Sequence, residues 1–348
     1  MTAADPLIGS ELGDYRIVGV LGKGGMGAVY EADDLALNRR VALKLLLPEF
    51  AEDRDARARF QGEIDHAVAI EHPHVVPIYA AGYVPPHFYI AMRLVAGPDL
   101  NRVLRGGGAL DEARALRIVG QVASALQTIH RKGLVHRDIK PHNVLLWGEG
   151  TDDEHALLTD FGIAKALDDT RNLTGLGVIG TPAYMAPEVF LGRMATPACD
   201  QYSLGCMAYE LLYGAPPFSG DAVSLRKAHV EHQPPPLSTA APGVSSAVAD
   251  AVDRALSKDP ADRFSDVREL VRSAKASGEA FRRSEQLTKL MSGARDPADA
   301  ATRLMAERDL SDATISQLTD LDRTQVVRLR RRRARRALVG ERPDQHMS

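Results

Sequence analysis

Cysteine is nearly absent from this 348-residue chain. The two present, Cys199 and Cys206, offer neither a disulfide framework nor a metal-ligand pattern, so a reducing cytoplasm is the simpler home. Aromatic residues make up only 5%, and cores must rely on Leu, Val, Ile and Ala. Long apolar runs are missing: none approaches the roughly 18 to 20 residues that span a bilayer. Residues 1–14 are acidic and lack the apolar centre of a signal peptide. Net charge is small, at −3. With a disulfide scaffold and a transmembrane receptor excluded, 45% apolar and 26% charged residues predict a soluble, cytoplasmic protein large enough for two or three cores.

What is present is concentrated at residues 136–143, His-Arg-Asp-Ile-Lys-Pro-His-Asn. One acid, two cations and an amide share eight residues, stiffened by Pro141. Such a loop can hold Asp138 against a hydroxyl, Lys140 against a phosphate and the Asn143 oxygen against a metal ion. Those are the needs of phosphoryl transfer, which depends on positioning and charge neutralisation.

Upstream, Gly22, Gly24, Gly27 and Val29 form the pattern G-x-G-x-x-G-x-V after a β-prone run at 15–20. Glycines let the backbone turn sharply and approach phosphates with its amides. A second β-prone run at 29–32 follows, where a dinucleotide fold would need a helix start. Residues 41–47 then form an apolar run interrupted by Lys44. The lysine either snorkels from an edge strand or points inward to phosphates and a bracing carboxylate. A helix is predicted over about 54–70, with Phe60, Ile64, Ala67 and Val68 on its buried face. Glu63 beside that stripe is the preferred partner of Lys44; Glu52, Asp65 and Glu71 are alternatives by charge alone.

The glycine motif, Val-Ala-Leu-Lys at 41–44 and the 136–143 loop together resemble a protein kinase. The resemblance implies an α+β, bilobal fold: a small β-rich lobe with one helix at about 14–92, a hinge at 93–97 and a larger helical lobe at 98–275. It implies ATP held under Leu21, Gly22, Lys23, Gly24, Gly25, Met26, Gly27, Ala28 and Val29. Lys44 would meet the α/β-phosphates, braced by Glu63. Val29, Ala42, Met92 and Leu145 match positions that sandwich adenine, with Met92 as gatekeeper. Arg93 stands where the family often has glutamate.

Further motifs extend the likeness. Gly106 to Gly108 reads as a spacer before a helix opened by Asp111 or Glu112 and running to about Lys132, its stripe marked by Leu116, Val119, Val122, Ala123 and Leu126. Strands are predicted at 144–147 and 157–159, joined by an acidic tip read as solvated. Asp160-Phe161-Gly162 follows, and Ala186-Pro187-Glu188 closes the segment. By resemblance, Asp138 accepts the proton of the attacking hydroxyl, Lys140 neutralises the γ-phosphate, and Asn143 with Asp160 holds Mg²⁺, or Mn²⁺. Lys140 two residues after Asp138, with Thr181 downstream, resembles serine/threonine kinases. Arg137 is expected to bind a phosphate on Thr174, or else Thr170, unless Asp168 or Asp169 takes that place. Thr181, Asp200 and the pair Glu188–Arg263 have structural roles in the family. Gly-Lys-Gly-Gly-Met-Gly and Asp-Phe-Gly-Ile-Ala-Lys most resemble bacterial Hanks-type serine/threonine kinases. That implies protein substrates and autophosphorylation, with a transient dimer for transfer in trans.

The likeness ends near residue 278, leaving a helical extension over 276–348. Seven of the nine residues 328–336 are arginine. Residues 315–327 have helix-turn-helix spacing, with anchors at Ile315, Leu318, Leu321 and Val326, although Asp320 stands where such turns often have glycine. Nucleic acid, anionic lipid or an acidic protein are candidate partners, and a solvated basic end is the plain alternative. Two competing functional classes follow: an inactive kinase-fold scaffold, disfavoured by the presence of Lys44, Asp138 and Asp160, and a tail-directed nucleic-acid-binding regulator.

Overall fold

The computed structural model describes residues 5–25, 27–51, 62, 64, 67–151, 153–160, 182–275, 297–305, 315, 319, 321 and 324–331. The chain divides into two compact units, Met1–Lys275 and Ala276–Ser348.

The small lobe of the first unit is one antiparallel sheet. Its strands are β1 (Glu11–Leu12), β2 (Tyr15–Gly24), β3 (Gly27–Asp34), β4 (Arg39–Leu46), β5 (Ile78–Val84) and β6 (His87–Arg93), in the order β1-β2-β3-β4-β6-β5. Side chains alternate across a strand with a period of two, and β4 uses both faces. Val41, Leu43 and Leu45 enter one apolar cluster with Ile17 and Tyr30, while Ala42 and Leu46 enter a second with Met92 and Leu157. Lys44 shares the parity of Ala42 and Leu46, which turns it toward the second cluster and away from an edge. The predicted helix at about 54–70 is described at positions 62, 64 and 67–70, helical through 68 and ended by a turn at 69, with Ile64 and Ala67 buried. Val68 is exposed instead, because 64 and 67 already define the inward face. Phe60 lies outside the described residues.

The sheet also extends upstream of residue 14. Leu12 is buried, the Gly9 N–H donates to Ile17 O and the Ile17 N–H donates to Ser10 O, so the segment from Asp5 is part of this lobe.

The large lobe packs the helices Leu100–Gly107, Glu112–Arg131, Pro197–Tyr213, Ala222–Glu231 and Ser246–Ala255 around a core that includes Leu126, Ile129, Tyr202, Leu204 and Val252. Asp111 caps the second of these by accepting from the Arg114 N–H. Val119, Val122, Ala123 and Leu126 are buried along it, with Leu116 half-buried. The expected glycine spacer is instead a helix end: Gly106 and Gly107 form the last turn of Leu100–Gly107, and Gly108, at φ 73°, closes it with its N–H on Leu104 O. Strands β7 (Val144–Trp147) and β8 (His155–Leu158) form the predicted hairpin. Its tip is not simply solvated. Glu154 is 3% exposed and accepts from Arg114 at 2.6 Å, tying the hairpin to the long helix.

Candidate active site

The glycine hairpin separates its glycines by role. Gly24 pairs with Gly27 across the turn. A Cβ on Gly27, whose φ is 150°, would lie 1.9 Å from Leu45 O, so this glycine is demanded by the close approach of β4. Gly22, Gly24 and Gly25 have open space around the Cβ position, as a surface approached by phosphate requires. Lys23 reaches back to Asp5 at 2.6 Å, and Asp5 also accepts from the Tyr30 hydroxyl at 3.3 Å. Leu21 is half exposed, while Ala28 and Val29 are partly buried. Met26 lies outside the described residues.

Below the hairpin, Ala42 and Met92 are buried in one cluster, with Val29 and Leu145 packed against it. The Thr159 hydroxyl meets Met92 Sδ at 3.6 Å. The connection after β6 passes close to β7: a Cβ on Gly97 would fall 2.0 Å from Leu146 O, and the Leu146 N–H donates to Pro98 O at 2.9 Å. Gly97 is therefore a second obligatory glycine at this wall, one that motif reading did not single out.

Lys44 Nζ lies 2.8 Å from Asp160 Oδ1, both largely buried. Glu63, the expected partner, lies outside the described residues, as do Phe161, Gly162, Thr170, Thr174 and Thr181. Asp160 adopts a φ of 58°, and Arg137 one of 67°. Non-glycine residues in this region are strained, and such strain persists only where surroundings impose it.

Asp200 supplies that imposition for Arg137. Its carboxylate is fully buried and accepts from the His136 N–H and the Arg137 N–H at 2.8 Å each, and from His130 Nε2 at 2.8 Å. His136 is buried too. Its Nδ1 accepts from the Asp138 N–H, which assigns the ring proton to Nε2, donating to Thr159 O at 3.1 Å. Burial depresses the His136 pKa, keeping the ring neutral as a spacer. Asn143 Nδ2 donates to both the carbonyl and the carboxylate of Asp138, at 2.7 and 2.8 Å, and Lys140 Nζ meets the same carboxylate at 2.9 Å. The Thr159 N–H donates to Asn143 O, which places Asp160 one residue from the loop.

The predicted residues thus form one chain of contacts: Lys44 to Asp160, Asp160 through Thr159 to Asn143, Asn143 to Asp138, Asp138 to Lys140. With Nδ2 committed to Asp138, Asn143 offers its oxygen to a cation. Together with the Asp160 carboxylate this is a hard, all-oxygen donor pair, which fits Mg²⁺. The geometry can position a hydroxyl at Asp138 and neutralise phosphate charge through Lys44 and Lys140.

Beneath the 182–190 segment the supports are buried and ionic. Glu188 accepts from Arg263 at 2.7 and 2.8 Å. Burial alone would raise its carboxyl, but the guanidinium and its hydrogen bonds outweigh that and hold it below the usual range. The Tyr184 hydroxyl donates to Glu210 at 2.6 Å. The Tyr202 hydroxyl meets His229 Nδ1 at 2.9 Å, and Lys258 donates to His229 O at 2.8 Å. Burial, then the Lys258 charge, lowers the His229 pKa to about 4. His130, His229, Glu210, Gly97 and Asp5 were not found from the sequence, because each acts through a partner distant in the chain.

Comparison with known proteins agrees with this geometry. The protein kinase domain family matches residues 15–274. The serine/threonine-protein kinase PknE of Mycobacterium bovis is 44% identical over 257 residues, covering 74% of this chain and 44% of its own. PknD of Mycobacterium tuberculosis is 42% identical over 289 residues, 82% of this chain and 42% of its own. The chain therefore spans less than half the length of these curated relatives. The crystal structure of the Mycobacterium tuberculosis PknI kinase domain superposes with a TM-score of 0.63 at 33% identity, covering 77% of this chain and 98% of that one. Among the described residues no helix is long and apolar enough to cross a membrane.

Proposed function

The chain belongs to the bacterial serine/threonine protein kinase family, and on that premise we propose that it transfers the γ-phosphate of ATP to serine and threonine hydroxyls of proteins, itself included. The single observation that carries this is the unbroken contact chain from Lys44 through Asp160, Asn143 and Asp138 to Lys140. Asp138 orients the acceptor hydroxyl and takes its proton as the oxygen attacks phosphorus. Lys140, already against Asp138, shares its charge with the γ-phosphate. Lys44 exchanges Asp160 for the α/β-phosphates, with Glu63 as its brace, and the open glycines Gly22 and Gly24 let backbone amides close over them. Val29, Ala42, Met92 and Leu145 enclose the adenine. Asn143 and Asp160 would hold Mg²⁺, or Mn²⁺ with the same preference for oxygen; when bound, the ion neutralises charge on the phosphates.

The site sits in the cytoplasm in this reading. Arg137, held in its strained conformation by Asp200, receives the phosphate of Thr174 or Thr170 delivered in a transient dimer.

Incubation with radiolabelled ATP tests the assignment. Wild-type chain should label itself and a generic protein acceptor, and Lys44→Met and Asp138→Asn should each reduce labelling by about 10²-fold or more. Labelling no greater than that of the variants overturns the enzyme reading in favour of a scaffold.

A further inference from the structure

The second unit has a core of its own, and that core decides which face of its last described helix is offered to a partner. Ala301, Leu304 and Met305, on and just after the Pro297–Leu304 helix, cluster with Ile315 and Val326, and Leu321 and Leu329 pack against them. Ile315 and Thr319 are helical, with the Thr319 hydroxyl donating to Ile315 O at 2.7 Å; residues 324–331 are helical again. Ile315 and Val326, each 0% exposed, share that core. The anchors Ile315, Leu318, Leu321 and Val326 have helix-turn-helix spacing in the sequence, and of these Ile315, Leu321 and Val326 lie in or against one core.

The second of these stretches is sharply two-faced. Val326 is buried and Leu329 is packed on the core, whereas Thr324, Gln325, Arg328 and Arg331 are exposed. Positions 324, 328 and 331 follow the i, i+4, i+7 spacing of one helix face, with 325 beside 324. Arg332 and Arg335 continue the same spacing in the sequence. A helix with its side chains is about 10 to 12 Å across, which the major groove of B-DNA, about 12 Å wide, admits.

We propose that the 276–348 unit binds duplex DNA, with the helix from residue 324 entering the major groove, Arg328 and Arg331 on phosphates and Gln325 at the base edges. The packing argues against the other partners of a basic helix. A helix lying on a membrane must insert an apolar face, and here Val326 and Leu329 are already taken by the unit's own core. A-form RNA has a major groove too narrow to admit such a helix. An exposed amide at the first turn followed by arginines one and two turns later matches the division between base reading and phosphate contact.

The test is fluorescence anisotropy of the full chain with a labelled duplex of about 30 base pairs, carrying several helix-turn-helix site lengths, at 50 to 200 mM salt. Binding should weaken linearly in log–log salt plots. The double variant Arg328→Ala/Arg331→Ala should bind at least about tenfold more weakly, with its salt slope reduced by about two. Both side chains are exposed, so its thermal melt and self-labelling should match wild type. Selection from a random duplex pool should enrich a motif that Gln325→Ala alters. Unchanged duplex binding by the double variant overturns the proposal. So does equal binding to polyglutamate or to phosphatidylserine vesicles with no enriched motif.

Discussion

Below the phosphate cleft, the 136–143 loop hangs from the fully buried carboxylate of Asp200, which takes two backbone N–H groups and His130. Above it, the glycine hairpin is fastened at its tip by Lys23, 62% exposed, on Asp5. In the proposed function both walls face the same nucleotide, yet one is tied by a buried carboxylate and the other by a pair whose lysine lies in solvent. Proton transfer requires heavy atoms within hydrogen-bond reach and tolerates little displacement. A cover must move for nucleotide to enter and leave. In that reading the buried ionic supports belong to the wall where position matters, and the weaker one to the wall proposed to open.

The comparison breaks most easily at Arg263. Its side chain is 0% exposed and serves Glu188 with two hydrogen bonds while also donating to Ala198 O. Removing one partner strands a buried carboxylate, at a cost of about 3 to 5 kcal/mol. Arg263→Ala should lose that much in urea unfolding, before any effect on chemistry is separable. A loss below about 1 kcal/mol, the range of surface pairs, would show the buried ionic supports of the large lobe to be no stronger than the pair at the glycine hairpin.

A smaller effect follows from His229 and is set by pH. Its pKa is about 4 in the folded chain against an ordinary 6.5. The unfolded state therefore binds the proton first as pH falls, so stability is undiminished above about 6.5 and is lost between 6.5 and 4. The full gap corresponds to about 3 kcal/mol. Urea unfolding at pH 7, 5.5 and 4.5 should show a shallower acid loss in His229→Gln than in wild type, since glutamine keeps a hydrogen bond to Tyr202 without titrating. Parallel pH profiles would remove His229 from the buried supports beneath the 182–190 segment.

The same contrast governs what the sequence disclosed. Lys44 stood between an edge strand and the interior until family likeness turned it inward; the parity it shares with Ala42 and Leu46 is visible in the fold. The 136–143 loop could be recognised because its groups are contiguous. Its brace was named at Asp200 only through family likeness, and His130 not at all, since a partner 70 residues away leaves no local pattern. Glu154 was read as solvated because an acidic tip looks the same in sequence whether or not Arg114, 40 residues upstream, takes its carboxylate. Gly106 to Gly108 read as a spacer on intrinsic preference, about 1 kcal/mol per glycine against helix. Burial of Leu100 and Leu104 and the Asp99 cap override that preference. Local chemistry was legible in the residues themselves; of the tertiary supports, Asp200 and the Glu188–Arg263 pair were named only through family likeness, and His130 and Glu154 were not named.

The smallest expected effect is at the upper wall itself. Lys23 and Asp5 each favour the charged form of the other, with the hydrogen bond between them the leading cause for both. The lysine end is in solvent, so entropy and screening offset most of the attraction. Lys23→Ala should leave the thermal melt unchanged and shift KM for ATP by less than about threefold. That shift should vanish at 0.5 M salt, where the screening length falls to about 4 Å. The backbone ladder between β2 and β3 survives the substitution, which is why the hairpin should stay formed while its tip is released. A tenfold change in KM, or one that persists at high salt, would mean that this half-exposed pair positions the cover as firmly as Asp200 positions the loop. The division between a fixed wall and a moving one would then fail.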